Sequence, residues 1–112
     1  MNKYCMIETA FDNKEELEKI TTELLNKKLV SSCQVVESKS SWNWKGKLEK
    51  SKEYLVFMKT KKNFTKEIYN TIKKYHSYEC FEFAIFNLES TSKEYLEWID
   101  KETKKEINLI GL

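Results

Sequence analysis

The chain has 112 residues, 20 basic and 18 acidic, and a formal net charge of +2. That length fits one compact domain over residues 1–112, and so balanced a charge gives no electrostatic footprint for nucleic acid. Every basic residue is lysine, proline is absent, and only two glycines are present, which excludes bidentate arginine recognition and Gly-rich phosphate loops.

Lys3 to Ala10 reads as the first strand, with the apolar run Tyr4-Cys5-Met6-Ile7 marking it as central. Asp12 is a helix N-cap, with Glu15 three residues on as a capping-box partner. Leu17, Ile20, Leu24 and Leu25 then recur at helical spacing, and the helix is expected to run to about Lys28. Val30 to Glu37 forms the second strand, with Cys33 and Val35 on one face and Gln34 and Val36 on the other. A polar break is expected at Lys39 to Ser41. Ser41 to Lys47 is a short aromatic turn with Gly46 as its positive-φ residue. Tyr54 to Met58 is a strand that is apolar on both faces.

Asn63 caps a second helix bearing the stripe Phe64, Ile68 and Ile72, which His76 to Glu79 closes. Phe81 to Leu88 is the fourth strand, with Phe81, Phe83 and Ile85 on one face. Thr91-x-x-Glu94 matches a capping box ahead of a third helix that carries Tyr95, Leu96, Trp98 and Ile99. Ile107-Asn108-Leu109-Ile110 is expected to dock on the body or to pair as an edge strand. The order is βαββαβ with an additional C-terminal helix. The fold class is therefore α+β, a ferredoxin-like sandwich with an antiparallel sheet. Two helices cover only one face of such a sheet, and the Tyr54 to Met58 strand has no polar face for water. This predicts an oligomer.

No apolar run approaches the ~18 residues of a membrane-spanning helix. The start, Met1 to Glu8, lacks a signal-peptide core. Cys5, Cys33 and Cys80 are odd in number and have no CxxC spacing. They are expected to be free thiols in a reducing, cytoplasmic setting.

Several segments, in order, resemble the CutA family of divalent-cation tolerance proteins. Lys28 to Cys33 is similar to its segment ending in Ala-Cys, and Trp42-Asn43-Trp44-Lys45-Gly46-Lys47 to its aromatic-x-Trp-Lys-Gly-Lys hairpin. Glu53 and Lys59-Thr60 also match. His76-Ser77-Tyr78-Glu79-Cys80-Phe81-Glu82 resembles the signature His-Pro-Tyr-Glu-x-Pro-Glu, and Tyr95-Leu96-Glu97-Trp98 the Tyr-Leu-x-Trp of the last helix. The resemblance implies a homotrimer shaped like PII signalling proteins, whose hairpin, Trp42 to Lys47, reaches the next chain. It also implies binding of divalent metal ions and a link to copper tolerance. An animal branch is linked to membrane anchoring of acetylcholinesterase, and no reaction is established for the family. This chain departs from it in three ways. Ser77 and Phe81 replace both signature prolines, so packing must hold the turn. The stretch between Cys33 and Trp42 is about two residues short, so the second strand is expected to be less bulged. Glu8 and Tyr75 stand where some bacterial members place a cysteine and a second histidine.

His76 is either a metal ligand, with Glu79 or Glu8 adding an oxygen, or a histidine bonding helix carbonyls. Cys33 is either a soft ligand or a small buried hydrophobe. Trp42 and Trp44 either line a ligand pocket or anchor an interface, and Lys45 and Lys47 flank the Gly46 turn as solvated charges. Lys59 either pairs with Glu79 or Glu82 or binds an anion. With Tyr78 and Glu79 it makes the best pocket candidate.

The leading expectation is a trimer that binds copper or another divalent cation, with no organic cofactor, nucleic acid or membrane partner. The alternative is a PII-like signalling or scaffold module with a small ligand between subunits and metal incidental to it. No activated nucleophile accompanies His76, so an enzyme is not expected.

Overall fold

The computed structural model describes residues 3–89 and 91–105. The proposed edge strand at 107–110 lies outside them. The order is β1 (Tyr4–Phe11), α1 (Lys14–Asn26), β2 (Ser32–Trp44), β3 (Lys47–Lys61), a 3-10 turn (Lys62–Phe64), α2 (Thr65–Tyr75), β4 (Phe83–Asn87) and α3 (Lys93–Glu102). The four strands form one antiparallel sheet in the order β2-β3-β1-β4. This is the predicted α+β, ferredoxin-like layout with its added C-terminal helix.

The helix ends show why boundaries drifted from the sequence reading. Asn13, not Asp12, caps α1, its Oδ1 accepting the Glu16 N–H at 2.9 Å. Ser92, not Thr91, caps α3, accepting the Tyr95 N–H at 3.2 Å. Neighbouring cap-competent residues offer the same oxygen chemistry, so sequence alone does not choose between them. Asn63 falls inside the 3-10 turn, and Phe64 precedes α2 without a side-chain cap. The first helix stops at Asn26 because Lys28 turns left-handed at φ 57. The N–H groups of Lys28 and Leu29 then close onto the carbonyls of Leu25 and Leu24. That is a Schellman stop made without its usual glycine.

The register places Cys5, Ile7, Thr9 and Phe11 of β1 on one face with Tyr54, Val56, Met58 and Thr60 of β3. There Leu17, Ile20 and Leu24 of α1 and Ile68 and Ile72 of α2 join Cys5, Ile7, Phe11, Val56 and Met58 in one core. Each fully buried aliphatic side chain contributes roughly 1.5–3 kcal/mol. The other face carries Met6, Glu8 and Ala10 from β1, Leu55, Phe57 and Lys59 from β3, and Ala84 and Phe86 from β4. Much of that face is open, with Val36 51% and Phe86 45% exposed.

The predicted polar break at Lys39 to Ser41 is absent. The register of β2 against β3 runs without a bulge from Ser32↔Lys59 to Trp44↔Lys47. Beyond Phe11↔Tyr54 no third strand joins among the described residues. The stretch from Ser38↔Glu53 outward is a two-stranded ribbon, on the order of 20 Å long. A largely exposed ribbon needs no apolar alternation, so Lys39 to Ser41 and Lys47 to Lys52 carry no strand period.

The last helix is tied to the sheet by charge. Lys61 is 3% exposed, and its Nζ lies 3.0 Å from Asp100 Oδ1. Lys61, then Lys3, hydrogen-bonds the Asp100 carboxyl and holds its pKa below the ordinary carboxylate range. Removing this carboxylate leaves the buried ammonium only the Asp100 and Lys104 carbonyls, each at 3.4 Å. Asp100→Ala is expected to cost about 1–2 kcal/mol, discounted because Asp100 faces solvent on one side. Urea denaturation measures it, and an unchanged midpoint would show that α3 is held by other contacts.

Candidate functional site

His76 follows α2 and turns the chain into extended backbone, its own N–H closing on Ile72 O. Its side chain is 0% exposed. The ring lies between Phe11 and Phe81, with centroids 4.5 and 4.7 Å away and planes within 16° and 10°. Nε2 donates to the Ala10 carbonyl at 2.7 Å, and Nδ1 accepts the Tyr78 N–H at 3.0 Å. Both nitrogens are therefore engaged within the chain, in the neutral Nε2–H form. Nearby, Glu16 Oε1 accepts the Ser77 N–H at 2.9 Å. His76 thus bonds a strand carbonyl rather than the helix carbonyls expected, and it fastens the α2 exit to the end of β1.

The segment after His76 meets the ribbon. Tyr78 donates its hydroxyl to Glu53 Oε2 at 2.8 Å. Burial, then this bond, push the phenol pKa well above its usual range. Lys45 Nζ lies 3.6 Å from Glu79 Oε2 and 5.3 Å from the Trp44 ring centroid. At the ribbon's tip both Lys45 and Gly46 have positive φ, 49° and 79°. A Cβ on Gly46 would meet nothing within 4 Å, so that glycine serves backbone conformation, not space. Two cavities result. One of about 310 Å³ is lined by Trp42, Trp44, Glu49, Tyr78 and Glu79. The other, of about 390 Å³, is lined by Trp42, Tyr78, Glu53 and Glu82 among others.

Glu8 and Glu82 form a carboxyl pair at the mouth of the open face. Partial burial, then a hydrogen bond and repulsion from Glu8, then repulsion from Glu53, raise the Glu82 pKa to about 7. At neutral pH this pair holds a proton for part of the time, as close carboxylates do.

The predicted site residues do not all converge. Among the described residues, no three His, Cys, Asp or Glu side chains form a group that could hold a metal ion. His76 is stacked and doubly bonded. Cys33 pairs with Met58 on the helix-covered face, and burial pushes its thiol up to about 12, the chemistry of a small hydrophobe. Glu8 points to the opposite face, and Glu79 holds Lys45. Lys59 meets neither Glu79 nor Glu82, since its Nζ donates to Gln34 Oε1 at 2.6 Å. Tyr78 lines both cavities, beside Glu79 in one and beside Glu82 and Glu53 in the other, and Lys59 lines neither.

A sequence model of the CutA1 divalent ion tolerance protein matches residues 5–102. This chain belongs to the CutA1 divalent ion tolerance family. It is 34% identical over 94 residues to the divalent-cation tolerance protein CutA of Thermococcus kodakarensis, covering 84% of this chain and 90% of the relative. It is 29% identical over 100 residues to that of Pyrococcus horikoshii, covering 89% and 98%. Among solved structures, the periplasmic divalent cation tolerance protein CutA of Archaeoglobus fulgidus superposes with a TM-score of 0.86 at 31% identity, covering 90% of this chain and 99% of that one.

Ser77 and Phe81, which stand where the resembled signature has proline, both make contacts of their own. Phe81 stacks on His76, and Ser77 uses the N–H that a proline would lack to bond Glu16. Side-chain packing holds the turn that rigid rings would otherwise fix. Glu53 was undervalued from sequence as a site residue. Its signal was a carboxylate directly ahead of the apolar run Tyr54 to Met58, and it is only 8% exposed.

His76→Ala should remove both stacking contacts and leave the Ala10 carbonyl and Tyr78 N–H without this partner. The expected loss is about 3 kcal/mol by urea denaturation, and a loss below ~0.5 kcal/mol would contradict the clasp role. For Glu82, the folded pKa is raised above its ordinary 4.5 to about 7. Its contribution is therefore fully present below pH ~4.5 and is lost as pH rises through about 7. Denaturation midpoints across this window should fall more steeply for the native chain than for Glu82→Gln, and parallel curves would overturn the assignment.

Proposed function

We propose that three copies of this chain assemble and hold divalent cations at sites completed between protomers. Family membership carries the divalent-cation part of this reading. The assembly part rests on the half-open sheet, where Phe86 and Val36 stay exposed, and on a two-stranded ribbon that is marginal alone in water. A neighbouring copy laid on the open face would bury both. The Trp42 to Lys47 hairpin would then serve the interface as well as its own cavity.

Glu8 and Glu82 are the ligands this chain would contribute, with further donors coming from the next copy. The pair is all oxygen, while His76 and Cys33 are occupied elsewhere. Carboxylate oxygens favour harder divalent ions such as manganese over the softer copper sites built from nitrogen and sulfur. Binding acts by displacing the proton that Glu82 holds, so affinity rises with pH through about 7. We read the protein as a binding protein rather than an enzyme. We place it in the cytoplasm, a compartment that keeps Cys5, Cys33 and Cys80, all unpaired, reduced.

Calorimetry with manganese, zinc and copper at pH 6 and pH 8 tests this. Native protein should bind more tightly at pH 8, with proton release. Glu8→Gln should lose roughly tenfold or more in affinity, and Cys33→Ser should bind as native. Undiminished binding by Glu8→Gln would remove this pair from the site, and no binding at either pH would overturn the cation reading.

A further inference from the structure

The two cavities that flank Trp42 have a charge unlike the chain as a whole. The smaller one is lined by three aromatic residues, Trp42, Trp44 and Tyr78, and two acidic ones, Glu49 and Glu79. The larger one shares Trp42 and Tyr78 and adds Glu53 and Glu82. No lysine lines either cavity, although basic residues outnumber acidic ones, 20 to 18, in the chain. Aromatic faces backed by carboxylates attract cations, and weakly hydrated organic cations most. A divalent metal suits this place poorly, because it gives up hydration at high cost and gains only dispersed ligands.

The chain already brings one ammonium to this site. Lys45 Nζ sits 5.3 Å from the Trp44 ring centroid and 3.6 Å from Glu79 Oε2. It does so from an awkward position. Lys45 is the first of two positive-φ turn residues, where asparagine, aspartate or glycine is the usual choice. A lysine there places a primary alkylammonium near Trp44 and Glu79, at the end of a flexible side chain that is 70% exposed. The contact is loose enough to be displaced.

We propose that the cavity between Trp42, Trp44 and Tyr78 binds a small alkylammonium ion, with Glu79 and Glu49 as counter-charges and Lys45 as a built-in competitor for Glu79 and the Trp44 ring. The site is separate from the Glu8–Glu82 pair and does not depend on a metal there. Its size is near the lower bound for small-molecule sites, ~300 Å³, which suits an amine of a few carbons. Lys45 then competes from outside the lining, for the Glu79 carboxylate and the Trp44 ring.

Titration of the assembled protein with n-butylammonium chloride, the smallest mimic of a lysine side chain, tests this by calorimetry at constant ionic strength. Native protein should bind saturably, and n-butanol and sodium chloride should not. Lys45→Gly keeps the turn geometry and removes the competitor, so affinity should rise about two- to fivefold. Glu79→Gln should lower affinity by a similar factor, and Glu8→Gln should leave it unchanged. Unchanged or weaker binding by Lys45→Gly would overturn the competitor role of Lys45. Equal binding of n-butanol, or no saturable binding at all, would overturn the site. Because Glu8→Gln affects only the metal reading and Lys45→Gly only this one, failure of either is distinguishable from failure of the other.

Discussion

One-sided coverage of the sheet is the constraint on which the rest of this structure depends. Helices α1 and α2 seal the face that carries Ile7, Val56 and Met58, all at most 1% exposed. The face behind carries Phe57, Leu55, Met6 and Phe86, and much of it stays open to solvent. A sheet of this kind gains stability whenever its second face leaves water. The β2–β3 ribbon extends the same demand outward, since no further strand among the described residues supports it. The proposed trimer answers both demands with the same surface.

His76 illustrates how a residue that looks chemical becomes structural. An imidazole at the end of a helix, beside a tyrosine and a glutamate, has the composition of a ligand or an acid–base group. Stacked between Phe11 and Phe81 and bonded at both nitrogens, it instead locks the α2 exit against β1. That lock sets the path of the next residues and brings Tyr78 to Glu53 and Glu79 to Lys45. The aromatic cavity exists because a rigid joint delivers one wall to it and the ribbon delivers the other. The chemistry available to this chain has moved from the histidine to the carboxylates around it.

The sequence was most legible where burial sets a period. The apolar runs of β1 and β3, the stripe Leu17-Ile20-Leu24 and the order of elements all followed from which side chains must leave water. The ribbon was not legible, because Lys39 to Ser41 and Lys47 to Lys52 are exposed or half-buried and carry no apolar alternation. Long-range pairs were missed for another reason. Nothing local marks Lys59 for Gln34 rather than for Glu82, or Glu53 for the Tyr78 hydroxyl. Those partners follow from strand register, and register depended on a hairpin whose length the sequence understated. The Trp42 to Lys47 and His76 to Glu79 segments stood out separately, and their meeting across one cavity became visible only in three dimensions.

Assembly is the central claim, because the open face, the ribbon and the shared cation sites all depend on it. Light scattering behind size-exclusion chromatography, at micromolar protein and without added metal, tests it most directly. The account predicts a single species with the mass of three protomers of 13.5 kDa each. A stable, monodisperse species at 13.5 kDa would contradict it and would show that this sheet tolerates its open face in water.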